Sequence, residues 1–250
     1  MLKYIFIIFL FCSCNNAKNK DKALPISIEV LDSIKVFPAT TSASPAFFET
    51  AFKKLSTQTK GTTTFKLYGI TIGKIKINSG RIIACDPMIM EEYGIAFTQQ
   101  FPVGEFPVQL SIAQLKGAET IAYIRINFSN EPVVKWEYAL LPDQKPIGIN
   151  DNDYYGYIVD SGMGIFVDEA SAKELNKEKL TEMTAEPYKQ MDKHYHEGWK
   201  YAMHDFGNNN LVVFTAGFGD GRYGTYIGYD AKGTPCRLLT DFGLFDWRKS

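Results

Sequence analysis

From Phe65 onward the chain repeats one pattern: short runs of β-branched and aromatic residues, often apolar at every second position, separated by glycine, proline, asparagine or aspartate. A period of two sends alternate side chains to opposite faces of an extended chain, and a helix cannot sort them that way. Phe65 to Ile77 is such a run, interrupted by Gly69 and Gly73. Asn78-Ser79-Gly80 reads as a hairpin turn, with Arg81 to Cys85 returning. Val108, Leu110 and Ile112 alternate with Gln109, Ser111 and Ala113. Ala122, Ile124, Ile126 and Phe128 line one face of the next strand, and Val134, Trp136, Tyr138 and Leu140 that of another. Tyr155, Tyr157 and Val159 mark a further strand, and Leu211 to Ala216, Gly224 to Tyr229 and Arg237 to Thr240 close the series.

Helical signals are few. Ser44 suits an N-cap and Pro45 a first turn, and Phe47, Phe48, Ala51, Phe52 and Leu55 follow at helical spacing. Asp168 is placed to cap a short helix through about Leu180. A longer helix is predicted from Glu186 to Phe206, with the stripe Tyr188, Met191, Tyr195, Trp199, Ala202 and Phe206, and with Gly207 as its C-cap. Asn208 to Asn210 reads as the turn that follows. The expected fold is mainly β with a few helices (α+β): an antiparallel β-sandwich or open barrel with helices packed on it. Residues 24–250 contain no repeat and no break in composition, so they are expected to form a single β-rich domain.

The N-terminus has a different character. Lys3 precedes an apolar run from Tyr4 to Cys12, and Ser13-Cys14 ends it. The run is about half the ~20 apolar residues that a spanning helix needs. A small residue before cysteine at this place resembles the cleavage box of bacterial lipoproteins. The resemblance implies that residues 1–13 are a signal peptide, that Cys14 carries the lipid, and that residues 14–23 are a polar tether. The expected location is a bacterial cell envelope, periplasmic or surface-facing, with a membrane as the first partner and a protein as the second. The net charge of -1 offers no electrostatic case for nucleic acid. Cys85 and Cys236 allow a disulfide in an oxidising compartment without requiring one, and they fit no zinc spacing.

The densest glycine signal is Gly217 to Gly224, which carries GxGxxG spacing at Gly219, Gly221 and Gly224. A dinucleotide fold needs a helix after that loop, and Thr225-Tyr226-Ile227 continues as strand. A kinase phosphate loop does lie between strands, and Asp241-Phe242-Gly243 follows, but the order is wrong and no His-Arg-Asp occurs. The loop is read instead as a hairpin with Asp220-Gly221 in its turn. In Val159 to Gly164, Ser161 lacks a GxSxG setting, and Asp160 is either a turn former or a ligand. Cys85-Asp86-Pro87 reads as a buried thiol before an Asp-Pro turn, since a nucleophilic thiol needs a nearby base. His194, His196 and His204 all fall on the predicted long helix, where positions two apart face different sides. Asp151, Asp153, Asp160, Asp168 and Asp220 would make a cation site only if their loops converged, and their spacing fits no EF-hand. No cofactor is expected. The candidate binding loops comprise Asp160, Gly162, Asp168, Gly219, Asp220, Gly221 and Tyr223: glycine lets a backbone approach a ligand, Tyr223 offers an aromatic anchor and Asp220 a charge.

Gly80 to Pro87, Gly104-Glu105-Phe106-Pro107-Val108, Pro132 to Ala139 with Trp136-Glu137, Gly156 to Asp168, and Asn210 to Phe245 form one ordered series. In that series, over most of residues 65 to 250, the chain resembles the family known as domain of unknown function 4241. Gly224 departs from it, standing where many relatives have proline. The resemblance implies a domain type and no established activity or catalytic residue. Two functions remain in view. One is a non-enzymatic, membrane-anchored module that binds a macromolecule, an immunity-like role among its forms. The other is an Asp-dependent, cation-assisted hydrolase.

Overall fold

The β-prone runs pair into two antiparallel sheets in the computed structural model, which describes residues 43–249. Cys14, residues 1–13 and the tether 14–23 lie outside the described residues. The larger sheet is curled into a half-barrel. Its path runs β1 (Ser56–Lys60), β2 (Thr63–Ile77), β4 (Gly104–Leu115), β5 (Ala118–Asn127), β13 (Pro235–Asp241), β12 (Gly221–Tyr229) and β6 (Lys135–Tyr138), with β7 (Tyr157–Val159) also paired to β12. The smaller sheet runs β3 (Ile82–Cys85), β8 (Met163–Asp168), β11 (Asn209–Thr215), β10 (Trp199–Phe206) and β9 (Tyr195–His196). The expected β-rich architecture with helices packed on it is the one observed.

Apolar side chains divide into three layers. Between the sheets, Val108, Leu110, Ile124, Ile126 and Leu238 meet Phe166, Val212 and Phe214. On the outer face of the larger sheet, Tyr123, Trp136 and Tyr226 lie under Phe48 and Phe52, from α1 (Phe47–Thr50) and the turn after it, and under the C-terminal Leu244, Phe245 and Trp247. On the outer face of the smaller sheet, Ile165, Val167, Leu211 and Val213 are covered by helical residues. These are Met90 of α2 (Met90–Tyr93), Ala172 of α3 (Glu169–Ala172), Leu180 of α4 (Lys177–Leu180), and Tyr188 and Met191 of α5 (Glu186–Met191).

α1 is joined to the sheet by charge as well as by rings. Glu49 is completely buried; its Oε1 accepts from Arg125 Nη1 at 2.8 Å and Arg237 Nε at 3.1 Å. Arg237 Nη1 also donates to the Ser129 and Cys236 carbonyls at 2.6 and 2.8 Å, and Arg125 Nε to Gln109 Oε1 at 2.9 Å. The Arg125 guanidinium lies 3.8 Å from the Phe52 ring centroid. Burial lowers its pKa to about 10, against the opposing pull of Glu49.

Several local expectations are corrected. The predicted helix from Glu186 to Phe206 stops at Met191; a 3-10 turn covers Asp192–His194, and β9 and β10 follow. Trp199 and Tyr201 face the central layer while Ala202 faces the outer one, a period of two that a coincident helical stripe conceals. Pairing with β11, from Tyr201↔Phe214 to Phe206↔Asn209, decides the outcome for aromatic residues that fit a pleated sheet well. Gly207 therefore ends a strand, and Asn209 and Asn210 belong to β11. The Ser44 helix is only four residues long, with Ala46 at its N-cap and no side-chain cap bond. Asp168 does cap, accepting from Ser171 N at 3.0 Å, but the helix it starts ends at Ala172, and Asn176 caps the next.

Both predicted hairpins are crossovers. Asn78-Ser79-Gly80 carries the chain from the larger sheet to the smaller, where β3 pairs with β8. Gly217 to Asp220 carries it back, from β11 to β12, and no helix begins at Gly221 or Gly224. β8 was not expected, because all six of its residues are buried and it shows no alternation.

Candidate functional site

The two glycine loops meet, although they leave different sheets. Asp86, completely buried at the end of β3, fixes the first: its Oδ2 accepts from Asp160 N at 2.8 Å and Ser161 N at 2.7 Å, and its Oδ1 from Ser161 Oγ at 2.8 Å. The Gly162 carbonyl then accepts from Ala216 N at 2.9 Å, which ties the first loop to the second. Gly162 has φ +69° and Gly219 φ +109°, so the backbone favours glycine at both, and a Cβ on Gly162 would be in ordinary contact with the Gly219 Cα at 3.7 Å. Gly219 N donates back to the Ala216 carbonyl at 2.6 Å. Tyr223 is buried rather than presented; its hydroxyl donates to the Gly219 carbonyl at 2.7 Å and holds the loop from beneath. What the loops display is Asp160, Asp220, Gly221, Arg222 and Phe218, which is 71% exposed.

Behind this face lies a cleft of about 350 Å³. Lys60 at the end of β1, Arg222 of β12 and Arg248 near the C-terminus bring cations to it, and Tyr154, Phe245 and Trp247 form walls. Arg248 is positioned closely. Its Nη2 donates to the hydroxyls of Tyr138, at 2.5 Å, and Tyr226, and its Nε to the Ile149 carbonyl at 3.0 Å. Its guanidinium lies 4.6 Å from the Tyr154 ring and 4.7 Å from that of Trp247, within cation–π range. Tyr154 joins cleft to loop: its hydroxyl donates to the Arg222 carbonyl at 2.9 Å and accepts from Gly224 N at 2.6 Å.

Asp241 forms part of the cleft wall. Its carboxylate accepts from Trp247 Nε1 at 2.7 Å and Gly243 N at 2.8 Å. Burial nevertheless raises its pKa from 3.8 to about 6, the bonds from Trp247 and Gly243 and the charge of Arg248 opposing the rise. A carboxyl raised by folding favours the folded state fully below the unfolded value, and that contribution is lost as pH rises through about 6.

Other residues singled out from sequence are elsewhere. Asp168 is buried at the far end of β8 from Gly162, where Asn78 N, Ser79 N and Ser79 Oγ all donate to its Oδ2 at 2.7–3.0 Å. Asp151 closes a local turn, accepting from Gly148 N at 2.6 Å. Among the described residues no group of three or more His, Cys, Asp and Glu is placed to hold a metal ion. The histidines sit on strands or a 3-10 turn: His196 stacks on Trp199 at 3.9 Å, His194 on Tyr201 at 4.7 Å, and His204 Nδ1 lies 3.1 Å from Gln190 Oε1. Cys85 and Cys236 are free and buried; burial raises both thiols, that of Cys236 to about 11. No sequence pattern marks Lys60, Tyr154 or Arg248, and Asp241 stands out only within Asp241-Phe242-Gly243. Among the described residues no helix is long and apolar enough to cross a membrane.

A family model described as protein of unknown function (DUF4241) matches residues 75–240. Both glycine loops, Tyr154 and Arg222 fall within the match; Lys60, α1 and the segment from Asp241 to Arg248 fall outside it. No curated protein and no solved structure matches the chain.

Proposed function

We propose, from the premise that the chain belongs to the DUF4241 family of proteins of unknown function, that it is a lipid-anchored module of a bacterial envelope that binds a protein partner. The observation that supports binding is Phe218, a large aromatic side chain left 71% exposed on a loop whose backbone is held by the Gly162–Ala216 and Gly219–Ala216 bonds and by Tyr223. An aromatic anchor on a preorganised loop loses little conformational freedom when a partner covers it. Asp160, Asp220 and Arg222 around it supply a polar rim.

The anchoring half of the proposal rests on Cys14, which follows both the apolar run and the small residue Ser13. Cys14→Ser is expected to move the protein from the detergent phase to the aqueous phase on phase separation of cell extracts. Cys12→Ser is expected to leave the partition as it is. An unchanged detergent fraction in Cys14→Ser would contradict anchoring.

A further inference from the structure

We infer that the cleft behind the loop face is a binding site for an oxyanion, a carboxylate or phosphate group, carried on a planar ring. The cleft shares Arg222 with the proposed partner surface, and its Lys60 Nζ lies 5.8 Å from the Phe218 ring centroid, but the inference does not depend on that reading. Its volume of about 350 Å³ suits a small ligand. Three parts of the chain each bring a cation to it, Lys60, Arg222 and Arg248, against the two carboxyl groups Asp241 and Asp246. Among the described residues that line it, cations therefore outnumber carboxylates by one. None of the three cations has a carboxylate within ion-pair distance among the described residues. Arg222 has one long contact, 3.4 Å to the Gly156 carbonyl, so its guanidinium fork is available to an incoming oxyanion.

The rings specify the rest of the ligand. The Arg248 guanidinium lies near both the Tyr154 and Trp247 rings and is held by two phenols and a carbonyl, so it is already fixed before a ligand arrives. A planar group entering the cleft extends this array of rings and guanidinium while its oxyanion reaches Arg222 and Lys60. An aliphatic anion would have the charge without the stacking, and a neutral ring the stacking without the charge.

The test uses the full-length protein in detergent, titrated at constant ionic strength with benzoate, phenyl phosphate, inorganic phosphate and neutral phenol. Tryptophan fluorescence and thermal melting are both read. Saturable binding of benzoate or phenyl phosphate is expected, about tenfold tighter than inorganic phosphate, with no saturation by phenol. Which of the two ring anions binds tighter separates a carboxylate source from a phosphate source. Arg222→Gln is expected to weaken the ring anion about tenfold at an unchanged ligand-free melting temperature, and Lys53→Gln, a cation outside the cleft, to leave it unchanged. Absence of saturation by both ring anions, equal binding of phenol, or undiminished affinity in Arg222→Gln would overturn the inference. Because the titration involves no protein partner, its failure is distinct from failure of the partner surface.

Discussion

Glu49→Ala is expected to lower the melting temperature by roughly 6–20 °C, the equivalent of about 3–5 kcal/mol in a chain of this size. Glu49 is the carboxylate that Arg125 and Arg237 share, and all three side chains are almost completely buried. Removing it leaves two guanidinium groups in contact with sheet and rings and without their common counter-ion. The loss greatly exceeds that of an exposed change on the same segment: Lys53→Ala should stay within about 0.5 kcal/mol of wild type. Thermal or chemical denaturation of the two variants side by side makes the comparison. A Glu49→Ala protein that melts with Lys53→Ala would show that α1 is not held to the sheet by this cluster.

Asp168→Ala is the second large effect, with an expected loss of about 3–5 kcal/mol. One carboxylate accepts from Asn78 N, Ser79 N, Ser79 Oγ, Ser171 N and Ser171 Oγ. It therefore fixes the crossover from the larger sheet and caps α3 at once. Truncation strands the amides of Asn78, Ser79 and Ser171 and leaves the two hydroxyls only the Arg81 carbonyl and Asn209 Oδ1. Asp160→Asn offers the contrast, since Asp160 is exposed and uses its amide rather than its carboxylate to meet Asp86; it should change stability by no more than about 0.5 kcal/mol. Denaturant unfolding curves decide the matter. Near-wild-type stability of Asp168→Ala would return Asp168 to the candidate binding residues.

The strands of the larger sheet were legible in the sequence wherever one face is more polar than the other. Gln109 and Ser111 lie between Val108, Leu110 and Ile112, and that alternation sets the faces of β4. β8 was illegible for the opposite reason, since neither of its covered faces carries a polar residue before Asp168. The segment after Met191 misled because Tyr195, Trp199, Ala202 and Phe206 recur at intervals that suit a helix, while β9, β10 and β11 pair as successive hairpins, Trp199 with His196 and Phe206 with Asn209. A stretch read alone does not report the strand that pairs with it. The same limit applies to the site. Glycine content marked both loops, but their meeting depends on Asp86 and Ala216, each far from Gly162 in sequence. The cleft depends on Lys60, Arg222 and Arg248, ordinary surface cations until the sheet curls and the C-terminal segment folds back over it.

A photo-crosslinking amino acid placed at position 218 in living cells probes the partner surface centred on Phe218. Position 183 is the control: Met183 is 64% exposed, close to the 71% of Phe218, but it lies between α4 and α5 over the smaller sheet. A discrete protein adduct is expected from position 218, absent from position 183 and lost when Asp220 and Arg222 beside the crosslinker are both replaced by alanine. Equal adducts from positions 218 and 183, or none from 218 in an envelope fraction that contains the protein, would contradict it.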